Sequence, residues 1–575
     1  MVPTREVIHL KGRVTAVVLL LVMSLLAAAC TSEEPDDGGE VVTPSIPPEA
    51  RFTPMKVERV TEPAAGWRES GCALPLEYVR RIRRGNYPGR SPDVVVVPRE
   101  SNFFGAFTST SHSGPWEYLQ QVPLVFYGPG FIRSQGDLTM NREVTVADLA
   151  PTLAELLDVN FPTAVGKPIN GVLDPARSGP PKLVLTVVWD GGGWNTLRTW
   201  PDQWPHLRTL MAQGTSVRDV IVGSSPSVTP AIHTNIGTGA WPKQHGTVGI
   251  PIREEDGTMS IAFDNKSPDH VEVPMLADTY DLATGNAAEI GMFAYKGWHM
   301  GMMSHGALTP GGDKDIAVLA NTHERFVTNP NLFEMPPYLE EVSGLDDYVR
   351  MVDEEDGQLD DRWMGHEVLG EPSERRDTPV WSLFQTKLIR NILGREGFGA
   401  DDIPDLFFTN YKQIDEIGHN FNMLQPEMSE IVRYTDDALK NLTSFLDRRV
   451  GEREWVLVMT ADHGIGPDPQ AAGAWPIRME YLQSDVAEHF GVEVEEMFSE
   501  TSPVGFWFDQ QTMEAEGITS EEVSDFLVDY RLEENVPAGE DFPSQYRDRL
   551  REPIFEAAFP SAAMGEIWSC VKGEG

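Results

Sequence analysis

Uninterrupted apolar runs, each stopping at a polar or acidic residue, punctuate this chain. Lys182 to Asp190 reads KLVLTVVWD, β-branched and apolar up to its closing acid, and Gly191-Gly192-Gly193 follow. Continuous rather than alternating apolar character predicts a strand buried on both faces, as in a parallel sheet. Asp405 to Tyr411, DLFFTNY, and Trp455 to Thr460, WVLVMT, read the same way, and Glu427 to Arg449 between them is helix-like. Similar apolar runs lie earlier, in Asp93 to Pro98, DVVVVP, and Val122 to Gly130, VPLVFYGPG. The pattern predicts an α/β fold with a mostly parallel central sheet flanked by helices.

Ligand-type residues sit where these strands stop. Asp190 closes one, Asp462-His463-Gly464 follow another, and DLFFTNY leads into Asp415-Glu416-Ile417-Gly418-His419. Open α/β sheets gather ligands at the carboxyl ends of their strands. Asp415 and His419, four apart, can face one cation from a single helical turn. Thr229-Pro230 reads as a helix start, with the Thr as N-cap and the Pro at the first helical position. A hydroxyl there lies at the positive end of the helix dipole, where a phosphoryl group or alkoxide is favoured. An ordinary turn Asp and an ordinary capping Thr are the plain alternatives for Asp190 and Thr229.

The chain has 575 residues, with 46 Lys plus Arg against 88 Asp plus Glu, for a formal charge of −42. Such a charge repels a phosphate backbone and speaks against nucleic-acid binding, while bound divalent cations invert the sign locally. Arg5, Lys11 and Arg13 precede an apolar run from Val14 to Ala29 that ends in Ala27-Ala28-Ala29-Cys30. The run is shorter than the roughly 20 residues a spanning helix needs. It resembles a bacterial lipoprotein signal, so export and a cell-surface lipid anchor at Cys30 are expected, with a plain cleaved signal as the alternative. Residues 30–51, rich in Pro, Gly and acids, read as a tether. Of the remaining cysteines, Cys72 and Cys570 are expected to pair in an oxidising compartment, the alternative being two buried thiols.

Taken together, the strand ending in Asp190, the Thr229-Pro-Ala-Ile-His233 segment running into Thr238-Gly239 and His245-Gly246, Asp415-x-x-Gly-His419, and Asp462-His463-Gly464 resemble the alkaline phosphatase superfamily. The likeness is greatest to its type I phosphodiesterase/nucleotide pyrophosphatase and Thr-nucleophile phosphatase branches. It implies two zinc ions, one held by Asp190, Thr229, Asp462 and His463, the other by Asp415, His419 and a third imidazole, with His233 and His245 structural. The third imidazole is missing from its usual late position, where the only later His is His489 in the helix-like SDVAEHFGVEVEEMF. Near the N-terminus, however, DVVVVP, the loop Ser111-His112-Ser113-Gly114, VPLVFYGPG and VADLAPTLAELL resemble the superfamily's C-terminal piece. The resemblance therefore implies a circular permutation with His112 as the seventh ligand.

Further expectations follow from the same resemblance. Thr229 is the nucleophile, forming a phospho-Thr intermediate. Lys296 matches a phosphate-binding Lys, but Trp298 stands where an Arg is expected, and an Asn expected after His245-Gly246 is missing. These losses favour a phosphodiester or pyrophosphate substrate, with Trp298 and Trp194 as aromatic surface for its second group and an alkaline phosphomonoesterase as the alternative. His299 and His305 read as loop histidines, either of which could donate to substrate. The expected layout is a signal at 1–29, the tether, a permuted C-terminal segment at 52–180, catalytic halves at 181–317 and 401–575, and an inserted cap at 318–400. A sulfatase lacks its Cys/Ser-x-Pro-x-Arg context here, and a catalytically silent surface binding lipoprotein would be expected to have lost ligands.

Overall fold

Along Leu183–Trp189 successive side chains enter opposite cores. Val184 and Val188 join one apolar cluster, and Leu183, Leu185, Val187 and Trp189 join another. The same division separates Leu406 and Phe408 from Phe407 and Tyr411, and Val456 and Val458 from Leu457 and Met459. A sheet covered by helices on both faces needs apolar residues at every position, which accounts for the unbroken runs. The computed structural model describes residues 60, 62–105, 110–320, 325–536 and 544–573. The expected signal, Cys30 and the tether lie outside the described residues.

The strands that matter here are β1 (Val94–Pro98), β2 (Leu124–Tyr127), β3 (Leu183–Trp189), β4 (Ile290–Ala294), β5 (Ile316–Ala320), β6 (Asp405–Tyr411), β7 (Trp455–Thr460), β8 (Gly505–Phe508) and β9 (Phe555–Pro560). The helices are α1 (Leu149–Leu156), α2 (Pro205–Gln213), α3 (Thr229–Thr238), α4 (Leu276–Thr284), α5 (Pro379–Arg395), α6 (Gln413–Phe421) and α7 (Pro426–Leu446). Nine strands form the large sheet, in the order Phe326–Val327, β5, β4, β6, β3, β7, β2, Thr215–Val217, Gly136–Leu138. From β5 to β7 the five neighbours are parallel. β2 runs antiparallel to β7, as Phe326–Val327 does to β5, so the sheet is mixed at its margins. Helices α1, α3 and α4 cover one face and α2, α5 and α7 the other.

β1 does not join this sheet. It pairs antiparallel with β8 and β9 in a second, four-stranded sheet. Beside that sheet Cys72 and Cys570 form the expected disulfide, their Cα atoms 5.7 Å apart, which ties Trp67–Ala73 to Met564–Val571. Residues 318–400 differ from a simple lid. Their first residues belong to β5, and their last helix, α5, buries Trp381, Leu388 and Ile392 in the core that holds Leu185. The acid-rich middle of this stretch obscured the apolar spacing of α5.

Candidate metal centre

Three parallel strands end on one edge of the sheet, and the residues that follow them meet there. β3 delivers Asp190, which is fully buried. Gly191 turns the chain at φ +71°, and its N–H donates to Asp462 Oδ1 at 3.1 Å. A Cβ on Gly193 would stand 2.6 Å from the Gly464 Cα, so the glycines after Asp190 let this turn lie against the Asp462-His463-Gly464 loop after β7. β6 leads through Lys412 into α6, which carries Asp415 and His419 one turn apart on the same face.

Helix α3 starts at Thr229, with Val228 extended (φ −112°, ψ 145°) as its N-cap. Thr229 is therefore the first helical residue, one place later than a capping Thr. Lys412 Nζ donates to its Oγ1 at 3.4 Å.

His112 is brought to the same edge. Its Nε2 lies 3.3 Å from Asp415 Oδ1, where His419 Nε2 approaches to 3.5 Å, and its ring stacks on His463 with centroids 3.5 Å apart. His112 Nδ1 lies 2.9 Å from the Ser227 carbonyl, His419 Nδ1 2.8 Å from that of Thr110, and His463 Nδ1 3.1 Å from that of Gly464. Each Nδ1–H thus donates to a backbone carbonyl and each Nε2 lone pair points inward, the tautomer of a metal-binding imidazole. His489, on Met479–Phe490, lies exposed against Phe490 and Phe526.

Lys412 is the residue that sequence reasoning missed. Its ammonium is buried, 2.6 Å from Asp415 Oδ2 and 3.0 Å from Asp190 Oδ1. Burial opposes ionisation of Asp190 and Asp415, yet the Lys412 charge holds both carboxyls below the usual range. Asp462 has no such partner, and burial, aided by the Asp190 charge, pushes it up to about 7. His463 rises to about 9 because Asp462 and the other carboxylates outweigh burial. The His112 ring is held well below its ordinary value by burial and by His463.

Asp190 and Asp415 share the Lys412 ammonium, and Asp462 has no lysine or arginine partner among the described residues. Asp415 Oδ1, Asp462 Oδ2 and His463 Nε2 are buried and make no hydrogen bond among the described residues, a rare condition for polar atoms. Two groups converge with ligand atoms within 4.8 Å of one another, His112, Asp415 and His419 in one and Asp190, Asp415 and His463 in the other. Inward Nε2 atoms and unpartnered carboxylate oxygens fit divalent cations of the zinc class.

Asp190, His233 and His299 also approach one another, but their partners give them another role. His299 Nδ1 accepts from the backbone N–H groups of Tyr295 and Lys296 at 3.3 and 3.2 Å. Its Nε2 therefore carries the proton, and it faces Asp190 Oδ2 at 3.4 Å. Asn410 Nδ2 reaches both Asp190 Oδ2 and His233 Nε2 at 3.0 Å. These groups orient Asp190 from behind, as second-layer donors do at metal sites. No pattern in the sequence marks His299, whose position depends on the 3₁₀ turn Gly297–Met302.

The remaining candidates divide. Lys296 Nζ is ion-paired with Glu416 at 2.8 Å and lies 5.1 Å from the Trp298 ring centroid, so both flank the centre. Trp194 does not offer a surface. It is 8% exposed, packed edge-on to Trp204 with Arg198 over its ring, and its backbone N–H donates to the Gln121 carbonyl. His245 is buried against the Asn235 amide, and His305 pairs with Asp278 at 2.6 Å, away from the ligands.

A family model described as type I phosphodiesterase / nucleotide pyrophosphatase matches residues 184–549. Alkaline phosphatase PafA of Elizabethkingia meningoseptica is 20% identical over 418 residues, 63% of this chain and 75% of that protein. Alkaline phosphatase PhoV of Synechococcus elongatus is 20% identical over 337 residues, 50% of this chain and 60% of that protein. The crystal structure of wild-type PafA superposes with a TM-score of 0.48 at 19% identity, covering 61% of this chain and 76% of that one. Murine ectonucleotide pyrophosphatase / phosphodiesterase 5, solved as an inactive variant with AMP, gives 0.34 at 17% identity over 66% and 78%.

Proposed function

This chain belongs to the type I phosphodiesterase / nucleotide pyrophosphatase family, a family of phosphoric ester hydrolases, and from that premise we propose that it cleaves small phosphodiesters or pyrophosphates through a phospho-Thr intermediate on Thr229. The observation that carries this reading is that Thr229, at the start of α3, lies 3.4 Å from the Lys412 ammonium that also pairs with Asp190 and Asp415, members of two groups of ligand atoms on one sheet edge. Asp190, Thr229, Asp462 and His463 would hold one zinc ion, and Asp415, His419 and His112 the other. Divalent cations bound there supply the charge that makes the Thr229 hydroxyl nucleophilic and neutralises phosphoryl and leaving oxygens.

The chain's own groups do the rest. Lys412 fixes Asp415 through the oxygen facing away from the imidazoles and holds the Thr229 hydroxyl in place. His299 and Asn410 fix Asp190. Oγ1 attacks phosphorus, the P–O bond to the leaving group breaks, and that oxygen takes up a proton. Water then cleaves the Thr229 phosphoester, releasing the acid product and restoring the hydroxyl.

Lys296 supports a diester over a monoester. Its charge is compensated by Glu416, so it offers little to the second charge of a monoester dianion, while Trp298 beside it gives an apolar face to a second ester group. Placement of His112 supports the circular permutation, as does the adjacency of the described chain ends at Cys72 and Cys570. Export and anchoring at Cys30 complete the proposal and are tested by acyl mass on the mature N-terminus. A panel of aryl phosphate monoesters, diesters and sulfates tests the substrate class. Faster turnover of diesters supports it, and preference for monoesters assigns the chain to the phosphatase alternative.

A further inference from the structure

A second group of carboxylates lies at the opposite edge of the sheet. Asp281, in the last turn of α4, meets Asp313 and Asp315 from the loop that enters β5, with one oxygen of each within 4.8 Å of the others. Asp315 immediately precedes the first residue of β5, whereas Asp190 follows the last residue of the parallel β3, so this cluster and the metal centre occupy opposite ends of the strands.

The cluster has features that clustered acids alone do not. Asp281 is 5% exposed, and its Oδ1 is buried without a hydrogen-bond partner. Asp315 is also buried and engages one oxygen, which accepts from the Ser304 hydroxyl. Among the described residues no ion pair joins a Lys or Arg to Asp281, Asp313 or Asp315, and Lys314 between the two loop acids donates instead to the Pro330 carbonyl at 2.6 Å. Asp278, one turn earlier on α4, is already satisfied by His305 and Thr309. The helix dipole makes matters worse, since its negative end adds to the charge around Asp281.

Nearby backbone is arranged to hold the loop against the helix end. Asn286 donates its backbone N–H to the Asp281 carbonyl at 2.9 Å and its Nδ2 to the Gly311 carbonyl at 3.0 Å. Its own Oδ1 is buried without a partner. Partly buried carboxylates with no cationic neighbour are costly unless something neutralises them, and an all-oxygen donor set selects a hard cation over the zinc class.

We propose that Asp281, Asp313 and Asp315 form a calcium site that clamps the end of α4 to the loop before β5. The Ser304 bond to Asp315 links this clamp to the segment that carries Lys296, Trp298 and His299. Calcium would stabilise the fold there without entering the reaction, and the site is independent of the ligands proposed for catalysis.

The test uses the full chain with its catalytic cations loaded, titrated with Ca²⁺ while thermal unfolding and ⁴⁵Ca²⁺ binding are followed. Wild type is expected to bind one additional Ca²⁺ and to gain several degrees in Tm by about 1 mM, the range of extracellular calcium modules. Asp313 is exposed, so Asp313→Asn should fold normally, keep its zinc content and lose both effects. Asp281→Asn should lose them too and raise Tm in the absence of Ca²⁺ by relieving the unbalanced charge. No Ca²⁺ binding by wild type, or an undiminished response in Asp313→Asn, would overturn the proposal.

Discussion

His112 Nε2 lies 3.3 Å from Asp415 Oδ1, although the two residues come from opposite ends of the catalytic sequence. The contact is built rather than incidental. His112 Nδ1–H donates to the Ser227 carbonyl, and Ser227 Oγ donates back to the His112 carbonyl at 2.6 Å. The loop bearing the imidazole is thus interlocked with the loop that leads into Thr229.

Thr229→Ala should reduce turnover by at least about 10³-fold, since it would remove the group proposed to form the covalent intermediate. Zinc content should stay largely intact, because Asp190, Asp462 and His463 remain. The rival hydroxyl of Ser227 is committed to the His112 carbonyl. Rapid-quench trapping with a labelled substrate checks the assignment, and phosphate recovered on Ser225 or Ser227 would refute it.

The two ligand sets should empty separately. His419→Ala is expected to cost one cation, and Asp462→Ala and His463→Ala the other, whereas Asp415→Ala, at a residue that approaches both groups, should weaken both. Elemental analysis of each variant reads this directly, and full activity after exhaustive chelation would rule out the two-cation site.

Lys412→Met should leave Asp415 and Asp190 as buried, uncompensated charges. In chelator this variant should unfold more easily by about 3–5 kcal/mol, the usual cost of breaking a buried pair from one side. Added zinc should remove much of that deficit by restoring positive charge. An unchanged Tm in chelator would show that the ammonium is not paired as described.

Asp377, at the rim near Glu416 and Lys296, is pushed up to about 7 by burial and by the Glu416 charge. A carboxyl with a folded value above its unfolded one stabilises the protein most at low pH and loses that contribution as pH rises through the folded value. Asp377→Asn should therefore match wild type near pH 4, become progressively more stable than wild type up to about pH 7, and keep a constant advantage above it. Paired Tm measurements across this range check it, and an offset already present in full near pH 4 would contradict it.

The strands and the candidate ligands at their ends were legible because a doubly covered sheet demands unbroken apolar runs, and an acid or imidazole ending such a run stands out. Asp190, Asp462 and His463 carried that mark, while Asp415 and His419 stood out by their four-residue spacing after such a run. His112 did not. It lies in a loop of small polar residues and was found only through its resemblance to a displaced segment. Lys412 carried no mark either, since a lysine in the turn after a strand ordinarily reaches solvent. An aromatic beside glycines looks like a platform, whereas the Trp194 ring is buried against Trp204. The disulfide was legible from cysteine count, and the place of β1 in a separate sheet was not, since DVVVVP has the same apolar run in either sheet.

The most direct test is the zinc stoichiometry of His112→Ala beside that of His489→Ala. The expected result is the loss of one ion per chain and of activity by orders of magnitude in His112→Ala, with His489→Ala matching wild type in both. Two ions and full activity in His112→Ala, with loss in His489→Ala, would contradict the site and the permutation together.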